Sequence, residues 1–148
     1  MNHKRQVALG AAVFLAMSAS TFAEPAVGMQ TRCFRFVGQP EKLVQLRIVT
    51  TQGGNEAAFV RYSDTKTWIA LVLLHRKYTP MADSGRGLID TEWSEVVKDQ
   101  VSGHYALSMQ GNEISSFTYV NRKTSRQTEF ELAPTPRGVD PCATNLTN

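Results

Sequence analysis

The chain is 148 residues long, with 16 lysines and arginines against 13 acidic residues, and two cysteines. Lys4 and Arg5, the apolar segment Val7 to Met17 and the small residues ending at Ala23 have the form of a cleavable secretory signal. The mature protein is therefore expected to span residues 24–148 and to be periplasmic or secreted. Loss of Lys4 and Arg5 leaves 14 basic residues against 13 acidic ones, a balance that excludes a broad attractive field for nucleic acid, while the length suits a single domain.

After a polar arm from Glu24 to Gln30, the stretch from Arg32 to Val37 puts Phe34 and Phe36 on one face and Cys33 and Arg35 on the other, the period of two that marks a strand. A turn at Gly38, Gln39 and Pro40 follows. From Leu43 to Thr51, Val44, Leu46 and Ile48 oppose Gln45 and Arg47. The turn Gln52-Gly53-Gly54-Asn55 then sends the chain back through Ala58, Val60 and Tyr62, so the two stretches read as a hairpin.

Thr67 to Tyr78 is the segment around which the rest is organised. Trp68 to Leu74 is apolar without interruption, too short for a membrane helix, and ends in His75, Arg76 and Lys77. The expectation is a strand buried on both faces. If the sheet closes, one face fills the interior and the other, Ile69, Leu71 and Leu73, needs a cover, which makes it a candidate contact for a partner protein or a second copy of the chain.

Thr79 to Gly87 has no periodicity and carries a lone cation, Arg86, between two glycines. A loop of this length is a candidate functional element. Leu88 to Val97 fits a helical turn about as well as a strand and is read as a strand. Tyr105, Leu107 and Met109, then Ser115, Phe117 and Tyr119, then Thr128, Phe130 and Leu132 form a three-strand meander, with turns at Gln110 to Asn112 and Asn121 to Ser125. Pro134, Pro136 and Pro141 end regular structure, leaving an extended tail from about residue 133.

About eight strands with short connections give an all-β fold, an antiparallel meander forming a small barrel or sandwich of lipocalin-like architecture. In an oxidising compartment, Cys33 and Cys142, at opposite ends of the domain, are expected to form one disulfide that ties the termini together.

Chemistry-bearing patterns are sparse. His75 and His104 lack metal-ligand neighbours at useful spacing, and Ser84-Gly85 and Ser102-Gly103 lack the Gly-x-Ser-x-Gly elbow of a presented nucleophile. Glu129 and Glu131 share one strand face, where alternating carboxylates most simply keep an outer surface soluble. No metal, cofactor or enzymatic activity is expected. Two basic clusters, His75-Arg76-Lys77 and Arg122-Lys123 with Arg126, would form an acidic-partner surface if they shared one rim of the barrel. The aromatic surplus, including Trp68 and Trp93, is either barrel filling or the wall of an apolar cavity at the barrel mouth.

Ser102-Gly103-His104-Tyr105, followed by Gln110-Gly111-Asn112-Glu113, resembles over about a dozen residues the Ser-Gly loop and late hairpin of small periplasmic lysozyme inhibitors. The longer loop of that family is missing and the cysteines stand much farther apart, so the resemblance implies a mode of action rather than membership. The expected function is accordingly a non-enzymatic binding protein of the cell envelope, of the inhibitor or immunity type. A lipocalin-like carrier of a small apolar ligand and a hydrolase with a dispersed site are the alternatives.

Overall fold

The computed structural model describes residues 27–81, 87–135 and 142. The expected signal segment, Arg86 and most of the proline-rich tail lie outside the described residues.

Eight strands follow one another in the chain: β1 (Val27–Phe36), β2 (Gln39–Thr51), β3 (Glu56–Tyr62), β4 (Ile69–Thr79), β5 (Leu88–Val97), β6 (Gln100–Gln110), β7 (Glu113–Asn121) and β8 (Gln127–Leu132). Each pairs antiparallel with the next, and β8 returns to β1 through Phe34↔Leu132, Arg35↔Glu131 and Phe36↔Phe130, closing a barrel. The fold is thus an up-and-down meander, the barrel form of the expected architecture. Leu88 to Val97 is strand throughout. Among the described residues no helix is long and apolar enough to cross a membrane.

Turn chemistry sets the strand ends. Gly38 at φ 81° and Gly111 at φ 60° supply the left-handed backbone that tight hairpins need. The β5–β6 turn achieves the same with Lys98 at φ 51° and Asp99 at φ 62°, two residues that no glycine signal announces. Cys33 and Cys142 are disulfide-bonded with their Cα atoms 5.7 Å apart. Around this bond Leu43 and Ala133 form a small apolar cluster on the outside of β1 and β2, separate from the main core.

Period-two alternation directs the interior. Phe34, Val44, Leu46, Ala58, Val60, Leu71, Trp93, Tyr105, Leu107, Phe117 and Phe130 meet as one buried cluster. Phe34 and Phe117 pack tilted with centroids 4.5 Å apart, Tyr105 stacks on Phe117 at 5.7 Å, and Phe36 meets Phe130 edge-on at 5.0 Å. The middle of the barrel is therefore filled by side chains. Among the described residues, clefts open at both ends, two beside the β7–β8 turn and a smaller one of about 170 Å³ among Ile48, Glu56, Arg76 and Ile89.

Bulges decide which side chains face inward. In β4, Leu73 pairs with Trp93 but His75 with Glu92, so Leu74 is the extra residue and the alternation slips by one. Ile69, Leu71 and Leu73 share the inner face with Trp93, whereas beyond the bulge Arg76 and Tyr78 take that face and His75 and Lys77 turn outward. In β6 the extra residue is Ser102, between Glu95↔Gly103 and Val96↔Val101.

The expectation that β4 is buried on both faces is wrong. Leu71 is its one buried residue, and the face expected to need a cover is the interior face itself: Leu71 belongs to the core and Ile69 packs against it. The outward apolar residues are instead Ala70, Val72 and the bulged Leu74. A run of seven apolar residues hides its own alternation, which is why the sequence pattern could not choose between the faces.

Candidate binding surface

The most exposed apolar part of the described structure is the upper half of β4. Val72 is 52 % exposed, Leu73 43 %, Leu74 53 % and Tyr78 61 %, and Met81 beyond the strand end is exposed as well. Two features produce this. The β3–β4 ladder is short, containing only Ala58↔Leu71, Phe59↔Ala70 and Val60↔Ile69. From Val72 to Thr79, β4 is paired through β5 alone, and no described residue completes its other edge. Here Glu56 of β3, whose side chain is 7 % exposed, does not pair in register but reaches Arg76, with Oε2 accepting from Nη1 at 2.6 Å. Along this half, β4 is held to the barrel by its ladder with β5, which itself pairs with β6 throughout, and by the ion pair to Glu56.

Arg76, which the sequence places in a free basic cluster, is thus neutralised by Glu56. His75 and Lys77 point outward and exposed, each opposite an acidic residue of β5, Glu92 and Asp90. The two basic clusters do not share a rim. Successive hairpins alternate between barrel ends, so the β4–β5 connection lies with the β2–β3 and β6–β7 turns, whereas Arg122, Lys123 and Arg126 lie at the opposite end with the β1–β2, β3–β4 and β5–β6 turns. Arg126 lines a cleft of about 630 Å³ there with Lys42, Gln39, Thr128, Phe36 and Tyr119. Arg122 and Lys123 border a neighbouring one of about 810 Å³ with Ser102 and Asp99.

The two tryptophans divide. Trp93 is buried in the core and cannot touch a partner. Trp68 has two guanidinium groups over its ring, Arg47 at 4.2 Å and Arg61 at 4.5 Å from the centroid. Arg61 also donates to Gln45 Oε1 at 2.7 Å. Arg47, Arg61 and Gln45 alternate with the core residues Leu46 and Val60, which puts this cation–π cluster on the outside of the barrel.

Inside the end that carries the β5–β6 turn is a polar cluster that the sequence pattern did not single out. Glu95 is buried and, among the described residues, has no cation paired to it; instead, three hydroxyls donate to it. Ser102 Oγ lies 2.5 Å and Tyr119 Oη 2.9 Å from Oε2, and Tyr105 Oη lies 3.3 Å from Oε1. Because the Tyr105 proton is used on Glu95, the Tyr62 hydroxyl that meets Tyr105 must donate to it. Burial is the main cause that holds all three tyrosines in the neutral, donating form: it pushes Tyr119 up to about 12 and Tyr62 and Tyr105 well above the usual tyrosine value, with the Glu95 charge adding to the effect. A buried carboxylate is costly unless satisfied, and each hydroxyl donated to a charged acceptor returns about 1.5 to 3 kcal/mol. Glu95 and Glu92, neighbouring carboxylates in the sequence, are thus divided between inside and outside.

This cluster also reinterprets Ser102-Gly103-His104-Tyr105. The four residues lie within β6 rather than in a loop, with Ser102 and Tyr105 bound to Glu95. Gly103 lies under the Tyr119 ring, where a Cβ would fall 2.4 Å from its carbons. The segment is thus internal scaffolding, so the resemblance to an inhibitor's Ser-Gly loop does not extend to its geometry. Ser94 Oγ lies 3.3 Å from His104 Nδ1, but the serine is buried, and among the described residues no acid orients the other ring nitrogen as a nucleophile–base assembly requires. No protein-family model matches this chain, and neither a curated protein nor a solved structure matches it.

Proposed function

We propose that this is an exported protein-binding module of the cell envelope, of the inhibitor or immunity type, whose contact surface is the exposed second half of β4. The observation that carries the reading is the outward pair Val72 and Leu74, each about half exposed on a strand with an open edge, with Leu73 and Tyr78 exposed on the other face of the same strand. Apolar side chains gathered on one element in this way mark interaction sites, and edge strands in free-standing proteins are ordinarily blocked. The filled barrel supports the same reading, because side chains occupy the space in which a carrier would hold its cargo.

The test is affinity capture from an envelope extract of the source organism, with the mature protein and a Val72→Asp/Leu74→Asp variant as paired baits. Both substitutions lie outside the core, so the variant should fold. Expected is a stoichiometric partner retained by the parent and lost by the variant. Identical recovery by both baits would refute the placement of the contact.

A further inference from the structure

We infer that the open edge of β4 takes up an extended, acid-bearing segment of the partner as an added antiparallel or parallel strand, an inference that rests on the protein-binding reading above. Three observations converge on this occupant. First, from Val72 to Thr79 the backbone is already in strand conformation through its ladder with β5, while β3 has left its other edge. The amide and carbonyl groups on that edge form a template whose direct complement is another strand. Second, the outward side chains along the edge divide into an apolar and a basic half. Val72 and Leu74 are outward and apolar, and His75 and Lys77 are outward and basic. On the β5 side these basic residues face Glu92 and Asp90, so an acidic residue on the added strand would continue the cross-strand pattern of opposite charge.

Third, the same pattern disfavours a second copy of this chain. A two-fold antiparallel β4–β4 pairing centred on Arg76 would place the outward His75 and Lys77 against Lys77 and His75 of the second copy. Like charges directly opposite are destabilising. The Glu56–Arg76 ion pair at 2.6 Å ties β4 to β3 at one point beside this edge, through side chains and not through a ladder.

The experiment selects a phage-displayed library of random decapeptides against the mature, disulfide-bonded protein. Enriched peptides are then remade with and without N-methylation of alternate amides. Expected are proline-poor, acidic sequences that slow hydrogen exchange of β4 amides between Val72 and Thr79 and lose more than about tenfold in affinity on N-methylation, which removes backbone donors and leaves side chains in place. Lys77→Glu should weaken the same peptides by roughly tenfold, more at low salt.

The inference is overturned by no enrichment, by basic sequences, by N-methylated peptides that bind as well as their parents, or by a sedimenting dimer dissociated by Val72→Asp. If envelope capture depends on Val72 and Leu74 but N-methylation has no effect, only the strand-addition mode falls. If capture ignores those residues while the peptides still protect β4, the assignment of the natural contact falls and the edge chemistry stands.

Discussion

Replacing Gly103 with alanine tests the polar cluster at its tightest point. Gly103 is not in the left-handed backbone region, so the requirement there is for space alone. An added Cβ would lie 2.4 Å from Cε2 and Cζ of Tyr119 and 2.5 Å from its hydroxyl oxygen, against an ordinary contact of about 3.5 to 4.0 Å. The ring must retreat by roughly 1 Å or more, which takes the hydroxyl out of reach of Glu95 Oε2, now 2.9 Å away. Overpacking of this kind costs about 1 to 3 kcal/mol. A hydrogen bond lost to a buried charge costs about 1.5 to 3 kcal/mol. Partial relief by movement of the exposed side of the ring sets the expectation near 3 kcal/mol, a fall of about 1.5 M in the urea midpoint for a slope of about 2 kcal/mol per molar. In a Tyr119→Leu background, with no ring to displace, the same Gly103→Ala change should cost under about 1 kcal/mol. Equal costs in the two backgrounds would refute the reasoning, as would a cost below about 0.5 kcal/mol in the parent.

The assignment of faces on β4 predicts opposite outcomes for adjacent residues: Leu71→Glu places a charge in the core and should cost at least about 4 kcal/mol or abolish folding, while Val72→Glu should change the unfolding free energy by less than about 1 kcal/mol. Comparable loss of circular dichroism in both variants would show the faces to be misassigned. Alkaline pH should weaken the fold. Tyr62, Tyr105 and Tyr119 are raised above the value of about 10 expected in the unfolded chain. The unfolded state therefore loses protons first, and stability is full below about pH 10 and falls as pH rises through 10 toward about 12 for Tyr119 and beyond it for the other two. Urea midpoints measured between pH 8.5 and 11 that stay level or rise would contradict this. Removing the Cys33–Cys142 bond, which closes a separation of 109 residues, with a Cys33→Ala/Cys142→Ala variant should cost about 4 to 5 kcal/mol on the chain-entropy account. A loss below about 1 kcal/mol would mean that the unfolded chain already holds its ends together.

The inward sets Phe34/Phe36, Val44/Leu46/Ile48, Ala58/Val60/Tyr62 and Tyr105/Leu107/Met109 are legible in the amino-acid sequence alone, because alternation along a half-buried strand is a local property. So are the turns carrying Gly38 and Gly111, where the need for a left-handed residue is met by glycine. The disulfide follows from the number of cysteines and their places at the two ends of the domain. The Lys98-Asp99 turn is not legible, since its left-handed residues are not glycines. Nor are the bulges at Leu74 and Ser102, each of which shifts the alternation by a single residue without any compositional mark.

In Thr67 to Tyr78, the sequence by itself determined that a strand would form and that it would end in a basic triplet. Only the tertiary structure decided what that strand meets. Its burial depends on how far β3 runs alongside it, and β3 stops pairing at Ala58, a fact about register between separate segments. The same holds for Glu95, Tyr62, Tyr105 and Tyr119. Four residues from four different stretches become one hydrogen-bonded cluster only when the barrel closes and carries their hydroxyls and carboxylate to a common point. Local pattern reports which way a side chain points; which groups share a place is set by closure, register and bulges, and these are long-range properties of the folded chain.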